Sequence, residues 1–182
     1  FGGAFVTIFF PFILTSHWTV LALAIGFASI MFITKKIGWL QSVHGVERKS
    51  DGAIYHPIAI YTCFLYSQIL NQPMFYVISI LILAISDALA ALVGKSYGAN
   101  KYLVEVGTRK TIEGSVTFFL TSFLIVHLIL LLATRIGRVE SVLIALLISI
   151  IVTIFEGVSL KGADNLFIPL GTMFILSKNI TP

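Results

Sequence analysis

Long apolar runs separated by short polar segments make up most of this sequence. The runs are continuous, whereas the strands of a membrane β-barrel would alternate polar and apolar residues, so the pattern favours helices. The apolar core of a bilayer is about 30 Å thick and needs roughly 20 apolar residues per helical span. On this basis we expect spans at residues 1–14, 18–34, 54–70, 74–94, 114–133, 139–160 and 166–176. The sequence therefore predicts an all-α integral membrane protein, a polytopic helical bundle with about seven transmembrane helices.

Composition agrees with this prediction and leaves little room for another domain. Of the 182 residues, 58% are hydrophobic and 11% are charged, and the mean hydropathy is +1.01. Soluble domains contain about 25% charged residues, so a soluble globular protein is excluded. We expect residues 1–182 to form a single transmembrane domain, with the first span truncated because it is too short to cross a bilayer comfortably.

The cations are distributed unevenly when the chain is threaded alternately through these spans. Nine fall on one side, namely Lys35, Lys36, Arg48, Lys49, Lys95, Lys101, Arg109, Lys110 and Lys161. Three fall on the other side, namely Arg135, Arg138 and Lys178. Because the cytoplasmic loops of membrane proteins carry an excess of Lys and Arg, the side with nine cations is predicted to face the cytoplasm.

Two carboxylates lie inside predicted spans, toward this basic side. Asp87 is about 10 Å from the end of its span, and Glu156 is about one turn from the end of its own. A charged carboxylate there costs roughly 2.5 to 3.5 kcal/mol on insertion scales and usually faces a bundle interior, a wet cavity or an ion. Such oxygen ligands suit Mg²⁺, which also takes phosphate oxygens. The alternatives are a protonated Asp87 that joins two helices by hydrogen bonds and a Glu156 that is solvated at the interface.

The stretch AISDALAALVGKSYG, which contains Asp87, ends in a Gly-Lys-Ser that is not a P-loop. The P-loop motif needs a glycine five positions before Gly94, where this chain has Leu89, and it follows a strand rather than a helix. Lys95 in this glycine-bracketed turn is a candidate phosphate contact as a point charge. Small residues near Asp87, among them Ala91 and Gly94, would let neighbouring helices approach closely.

The segment VGTRKTIEGSVTFF places two cations, Arg109 and Lys110, just before a predicted span. Cations beside the free backbone N–H groups of a helix start form an anion site. Glu113, in the first turn of that helix, is either a favourable acid for the helix dipole or a metal ligand opposite Asp87.

Two further polar segments are candidates for the same site. Arg48 and Lys49 in HGVERKSDGAIYHP precede a span on the basic side, and Asp164 and Asn165 in SLKGADNLFIPLG separate two apolar runs. The carboxylate and amide oxygens of Asp164 and Asn165 suit a metal or a hydroxyl group. A solvated charged loop and a simple turn, respectively, are the alternatives for these two segments.

Four motifs together resemble the dolichol kinase and phytol kinase family of membrane lipid kinases, which is related to the phosphatidate cytidylyltransferases. They are SDALAALVGKSYG, RKTIEGS, GADNLFIPL and, as a weaker match, ERKSDGAIYHP, and they span residues 47–170. The resemblance implies a polytopic helical enzyme that phosphorylates a long-chain alcohol, with CTP as the usual donor and a divalent metal. Cytidylyltransferases typically end in a signature of Lys-Asp, then His-Gly-Gly, then Asp-Arg and Asp. No such signature follows Glu156 here. A CDP-lipid synthase is therefore only the second candidate.

By position, the resemblance makes Asp87 a metal or nucleotide-phosphate residue and makes Lys95 and Lys110 phosphate contacts. It places Glu113 in the nucleotide site and makes Asp164 with Asn165 the final motif of the pocket. Together with the residue patterns, this gives Asp87 and Asp164 as candidate catalytic residues, one of which accepts the proton of the alcohol. The candidate nucleotide-binding residues are Arg48, Lys49, Lys95, Arg109, Lys110, Glu113 and Asn165. The candidate metal ligands are Asp87, Glu113 and Glu156.

The expected reaction is in-line transfer of the γ-phosphate of a nucleotide, CTP by resemblance, to a lipid alcohol, with Mg²⁺ or another divalent cation. The expected partners are the lipid alcohol, the nucleotide triphosphate and the surrounding membrane lipids, and a homo-oligomer stays open. Nucleic acid is not expected, because the cations are divided among the loops of a membrane protein. A small ion-coupled transporter, in which Asp87 and Glu156 bind the ion, is the non-enzymatic alternative, although the chain lacks the repeated halves of many transporters.

Overall fold

The computed structural model describes residues 6–37, 52–105, 108–159 and 162–180, and most of these residues are helical. In chain order the elements are α1 (Phe10–Ile13), α2 (His17–Ile37), α3 (Gly52–Leu70), α4 (Pro73–Leu81), a π-helical turn (Ile82–Ser86), α5 (Asp87–Tyr97), β1 (Lys101–Glu105), β2 (Thr108–Thr111), α6 (Ile112–Ala133), α7 (Arg138–Val158) and α8 (Asp164–Asn179). The segments α4, the π turn and α5 form one continuous helix, Pro73–Tyr97. The predicted all-α membrane fold is confirmed, and the described part of the chain adds a short β-hairpin to it.

Four of the described helices are long and apolar enough to cross a bilayer: His17–Thr34 within α2, the continuous helix Pro73–Tyr97, α6 and α7. The helix α3 coincides with a predicted span and has 19 residues, but Tyr55, His56 and Gln68 make it less apolar and it is not among the four. The helix α8 has 16 residues, fewer than the roughly 20 that a bilayer core needs. The first predicted span is described only in part, and α1 within it has four residues.

A very short connection joins α3 to the continuous helix. Only Asn71 and Gln72 separate Leu70, where α3 ends, from Pro73, where α4 begins. Asn71 has a φ of 53°, in the left-handed region that asparagine tolerates better than most residues. The two helices are therefore adjacent and antiparallel.

The continuous helix Pro73–Tyr97 lies at the centre of the bundle. Every residue from Phe75 to Ile80 is buried, because α3, α6 and α8 pack around α4. The ring of Tyr76 meets Phe64 of α3 edge to face, with 6.1 Å between the ring centroids. A helix that is apolar on all sides is expected at such a position. This packing fixes α5, which carries Asp87, relative to the rest of the bundle.

The outer surface of the bundle is apolar where it would meet lipid. Trp18 and Phe27 of α2 and Leu120 and Leu124 of α6 are exposed, although their side chains are large and apolar. An extended exposed apolar surface of this kind marks a membrane contact. The exposed residues therefore agree with a bundle surrounded by lipid tails.

A β-hairpin follows α5, where the sequence predicts only a polar connection between two spans. The strands pair antiparallel, with Lys101 opposite Thr111 and Tyr102 opposite Lys110. Short runs rich in Tyr, Val and Thr with a glycine between them, here Gly107, are typical of hairpins. The pairing brings Lys101 and Lys110 to the end of the bundle where α5 ends and α6 begins.

Two glycines let α5 and α6 approach closely at this end. A Cβ atom added at Gly94 would lie 2.7 Å from Thr111 Oγ1, and one added at Gly114 would lie 3.0 Å from the carbonyl oxygen of Ala90. Because both distances are too short for a side chain to fit without movement, glycine allows the helices to pack this closely. The expectation that small residues near Asp87 permit close helix contact agrees with this packing.

Candidate active site

The continuous helix changes its winding immediately before Asp87. Residues Ile82–Ser86 form the π turn, and Asp87 is the first residue of α5. A π turn accommodates one residue more than an α turn, so later side chains are rotated by about 100° relative to a regular helix. Single π turns within α-helices occur frequently at functional sites. Here the π turn sets the direction in which Asp87 leaves the helix.

Asp87 lines a cavity of about 390 Å³ at the basic end of the bundle. Residues of α5, the hairpin, α6, α7 and α8 contribute to its walls. Its charged lining consists of Asp87, Lys95, Lys101, Lys110, Glu156 and Asp164. Small residues, among them Ala90 and Ala91, leave space in front of Asp87. Three carboxylates and three ammonium groups from distant parts of the chain thus meet in one polar space.

Lys110 connects the carboxylates of this cavity. Its ammonium group donates to the carbonyl oxygen of Glu156 and to the Glu156 carboxylate, with 2.5 Å between Nζ and Oε1. The same Nζ lies 4.0 Å from Oδ2 of Asp164. The side chains of Lys110 and Glu156 are each 10% exposed, and that of Asp164 is 19% exposed. Because an unpaired charge would be costly at this burial, Lys110 and Glu156 depend on each other for stability.

Hydroxyl groups extend this network to the hairpin. The Ser115 hydroxyl donates to Oε2 of Glu156 at 3.4 Å and lies 2.7 Å from the Tyr102 hydroxyl. Burial raises the pKa of the Tyr102 phenol above its ordinary value, the hydrogen bond with Ser115 opposes this, and the negative charge of Glu156 adds to it. The phenol is therefore neutral near pH 7 and remains able to donate a hydrogen bond.

Asp87 and Asp164 face the pair of Lys110 and Glu156 from different helices. Asp87 interacts electrostatically with Asp164, Glu156 and Lys110. Asp164 is the first residue of α8, and its Oδ1 accepts a hydrogen bond from the backbone N–H of Asn165 at 3.0 Å. This local bond holds one oxygen of Asp164, while its Oδ2 is the atom nearer to Lys110.

Two lysines lie at the mouth of the cavity. Lys95 is in the last turn of α5 and Lys101 begins β1, and both are exposed. Exposed ammonium groups raise the local concentration of anions and bind phosphate as point charges. The Gly-Lys-Ser that contains Lys95 lies at a helix end, which agrees with its exclusion as a P-loop.

Glu113 and Asn165, both predicted to bind nucleotide, are not among the residues that line the cavity. Oε1 of Glu113 accepts hydrogen bonds from the backbone N–H of Asn100 at 3.1 Å and from its side-chain amide at 2.9 Å. Glu113 thus holds the segment before the hairpin instead of lining the cavity with Asp87. Asn165 supports Asp164 through its backbone N–H. A direct role of either side chain in binding stays a prediction.

The described structure does not position the side chains of three other predicted nucleotide-binding residues. Arg48 and Lys49 lie outside the described residues. Arg109 belongs to β2, where it is opposite Leu103. Their contribution to nucleotide binding stays a prediction.

The start of α6 differs from the expected anion site. The N–H of Ile112 donates to the carbonyl oxygen of Asn100 at 3.0 Å, and the N–H of Gly114 donates to Thr111 Oγ1 at 3.1 Å. Thr111 is thus an ordinary N-cap, and these two N–H groups are already bound by acceptors of the protein. An anion at this end would therefore be held mainly by side-chain cations.

Four residues of the network were not singled out as site residues from the sequence: Lys101, Tyr102, Thr111 and Ser115. For Ser115, the sequence signal is its spacing of four residues from Thr111, which puts the two residues on the same face of α6. The signal for Lys101 and Tyr102 is the strand pattern of the hairpin, which is short and lies between two spans. Neither signal is strong enough to identify a site without the fold.

Two known proteins are similar to this chain in sequence. It is 35% identical over 149 residues to the phytol kinase of Synechocystis sp., a match that covers 81% of this chain and 63% of that kinase. It is 35% identical over 113 residues to the dolichol kinase of Saccharomyces cerevisiae, which covers 61% of this chain and 20% of that kinase. The chain thus spans less than two thirds of the length of either relative. No family model and no solved structure matches it.

The chain is a homologue of these lipid kinases. The resemblance inferred from its motifs is confirmed by the two similarities. Both relatives are kinases by name, which favours the lipid kinases over the CDP-lipid synthase and the transporter as the family of this chain.

A divalent metal, which the resemblance to lipid kinases implies, would need oxygen ligands here. Among the described residues, no group of three or more His, Cys, Asp or Glu side chains is placed to hold a metal. The predicted trio of Asp87, Glu113 and Glu156 is therefore not assembled, because Glu113 and Glu156 are engaged by other residues. Mg²⁺ usually takes one or two carboxylates and completes its shell with waters and phosphate oxygens. Asp87 and Asp164, which line the same cavity, fit that smaller requirement.

Proposed function

We propose that this chain is a membrane lipid-alcohol kinase that transfers the γ-phosphate of a nucleotide, preferably CTP, to the hydroxyl group of a prenyl alcohol or a related lipid alcohol. The observation that carries the proposal is the cavity in which Lys95, Lys101 and Lys110 meet Asp87 and Asp164 at the end of a lipid-facing bundle. The similarity to phytol kinase and dolichol kinase supports it.

In the proposed reaction, the alcohol oxygen forms a bond to the γ-phosphorus while the bond from this phosphorus to the β–γ bridging oxygen breaks. The products are a lipid monophosphate and a nucleoside diphosphate. The hydroxyl proton passes to a carboxylate within hydrogen-bond reach. Asp164 is the preferred acceptor, because it lines the cavity and the Nζ of Lys110, 4.0 Å from its Oδ2, is too far away to occupy that oxygen with a hydrogen bond. Asp87 is the alternative acceptor.

Phosphoryl transfer depends mostly on positioning and on neutralisation of the phosphate charge. Lys95 and Lys101 attract the nucleotide to the mouth of the cavity, and Lys110 faces the transferred phosphate from the interior. A Mg²⁺ ion held by Asp87 would supply Lewis-acid neutralisation of that charge. This division of roles leaves Asp164 free to accept the proton.

The proposed orientation places the cavity at the cytoplasmic face of the membrane. The excess of Lys and Arg on the cavity side supports it, since cytoplasmic loops carry this excess. The nucleotide then reaches the lysines from water, and the alcohol reaches the same place laterally from the bilayer.

The activity is tested with purified protein in nanodiscs, Mg²⁺, γ-labelled CTP or ATP, and a panel of prenols, dolichol and diacylglycerol. We expect label in a lipid, with CTP preferred, and a loss of at least about 100-fold in Asp87→Asn and Asp164→Asn, as for removal of a group that acts on the transition state. Glu140→Gln is the matched control, because Glu140 lines a different cavity with Arg135 at the opposite end of the bundle. It should keep the wild-type rate.

Three results would change the proposal. If neither CTP nor ATP gives a labelled lipid, the kinase proposal is overturned. Formation of a CDP-lipid from phosphatidate and α-labelled CTP establishes the synthase instead. Normal turnover of Asp164→Asn removes Asp164 as the proton acceptor and leaves Asp87.

A further inference from the structure

An apolar groove of about 450 Å³ lies between α6 and α7. Its walls include Val116 and Phe119 of α6 and Ile150 and Ile154 of α7. Val116, Ile150 and Ile154 are each about half exposed, although they belong to helices that are long and apolar enough to cross a bilayer. The groove therefore opens sideways, toward the lipid tails.

The groove and the polar cavity share one lining residue. Ser115 lines both spaces, and Tyr102 closes the end of the groove nearest the hairpin. The Ser115 hydroxyl is bonded to the hydroxyl of Tyr102 and to the carboxylate of Glu156. A molecule in the groove thus meets mainly apolar side chains, together with the hydroxyl groups of Thr153, Ser115 and Tyr102.

We propose that this groove binds the first carbons of the lipid alcohol and that Ser115 and Tyr102 receive its hydroxyl group at the edge of the cavity. The inference rests on the proposed kinase function and specifies how the substrate is held. A lipid alcohol matches the groove because its chain is apolar throughout and carries one small uncharged polar group at its end. The hydroxyl oxygen then lies between Ser115 and the cavity that binds the phosphates.

The length of the groove sets what it recognises. The lining runs along α6 from Ile112 to Phe119, and the part between Ser115 and Phe119 that would hold the substrate chain is four residues long, or roughly 6 Å at 1.5 Å per residue. The groove therefore holds only the carbons nearest the hydroxyl group, and the rest of the chain lies among the lipid tails. We expect farnesol and geranylgeraniol, which differ only in length, to have similar kcat/KM values.

The groove is tested by filling it. Val116→Trp and Ile154→Trp are expected to raise the KM for farnesol by at least about tenfold, the size of effect that pocket-filling changes have on apolar substrates. The KM for the nucleotide should stay within about twofold, because the phosphate-binding cavity is unchanged. Leu124→Trp is the matched control: Leu124 is 51% exposed and Val116 is 50% exposed, both are on α6, and Leu124 lies outside the groove. Thermal unfolding and gel filtration check that each variant is folded.

A second measurement separates this inference from the kinase itself. A photoactivatable prenol is irradiated with the wild-type protein in nanodiscs, and the labelled peptides are mapped with and without excess farnesol. Farnesol-sensitive label at Val116 and Ile154 supports the groove even if no phosphate is transferred, in which case only the kinase proposal fails. The proposed substrate groove is overturned if the label is confined to other surfaces. It is also overturned if Val116→Trp and Ile154→Trp have the same KM for farnesol as Leu124→Trp.

Discussion

At the scale of single residues, the candidate site depends most on Lys110. Its ammonium group forms a salt bridge with the carboxylate of Glu156 on α7 and lies 4.0 Å from the carboxylate of Asp164 on α8. Its position follows from the hairpin, because β2 ends at Thr111, one residue after it. Lys110 therefore stabilises the packing of these helix ends and, in the proposed reaction, also provides a charge for phosphate. An experiment on this residue has to separate the two effects.

We expect Lys110→Met to abolish phosphate transfer and to lower the free energy of unfolding by about 3 kcal/mol, because it leaves Glu156 as an unpaired buried charge. The double variant Lys110→Met/Glu156→Gln removes that charge as well. It should regain most of the stability in thermal unfolding but none of the activity in the labelling assay. Regained activity in the double variant would mean that Lys110 acts only through stability.

The sequence identifies some of these residues better than others, for a physical reason. A carboxylate in an apolar span, such as Asp87 or Glu156, is unusual because its insertion is costly, so it stands out from the sequence alone. Lys101 and Ser115 do not stand out, since a lysine in a loop and a serine near a helix start are common and inexpensive. Their place in the site depends on contacts between distant segments.

At the scale of elements, the helices follow from the apolar pattern, whereas the π turn and the hairpin do not. The apolar run predicts a span at residues 74–94, close to the observed helix Pro73–Tyr97, but it does not distinguish π from α winding, which depends here on packing against α6 and α8. The strands have only five and four residues. Such short strands between two spans give too few positions for the alternation to be convincing.

The contact between α5 and α6 leads to a prediction about glycine. In Gly114→Ala the new Cβ would lie 2.9 Å from Thr111 Oγ1 and 3.0 Å from the carbonyl oxygen of Ala90, so we expect a loss of about 1–3 kcal/mol of stability from overpacking. Gly26→Ala is the matched control, because no atom lies within 4 Å of the added Cβ in α2. It should be neutral or stabilising by about 0.5–1 kcal/mol, as expected for alanine in a helix.

Thermal unfolding in detergent measures both variants, and the labelling assay follows the activity of Gly114→Ala. We expect activity to fall together with stability, because the contact also positions Lys110 and Asp87. Equal unfolding temperatures for Gly114→Ala and Gly26→Ala would show that the helices separate without cost at this point.

At the scale of the whole molecule, the orientation in the membrane decides which compartment would supply the proposed nucleotide. Tyr97, at the end of α5 near the cavity, is 76% exposed, and Val139, at the start of α7 at the opposite end, is 75% exposed. These positions are suited to a pair of cysteine variants, since the native Cys63 is fully buried. A membrane-impermeant maleimide added to intact cells should label Val139→Cys and spare Tyr97→Cys. The reverse pattern would place the cavity on the outer face.

Of all the features of the whole molecule, the sequence best predicts the course of the chain through the bilayer. Hydropathy is a local property, so the apolar runs give the helix positions, and the positions of the cations give a side for each loop. The cavity is not local, because Asp87, Lys110, Glu156 and Asp164 come from four segments that only tertiary packing brings together. The sequence therefore predicts which end of the bundle carries the charges better than it predicts their contacts.

The two-residue connection between α3 and α4 has a consequence for biosynthesis. A link of only Asn71 and Gln72 keeps the end of α3 beside the start of α4. We therefore expect the two helices to leave the translocon together as a helical hairpin. The insertion free energy of α3, which carries Tyr55, His56 and Gln68, is then supplemented by that of its far more apolar partner Pro73–Tyr97. We expect insertions that lengthen this link to impair the membrane integration of α3 before they affect the finished site.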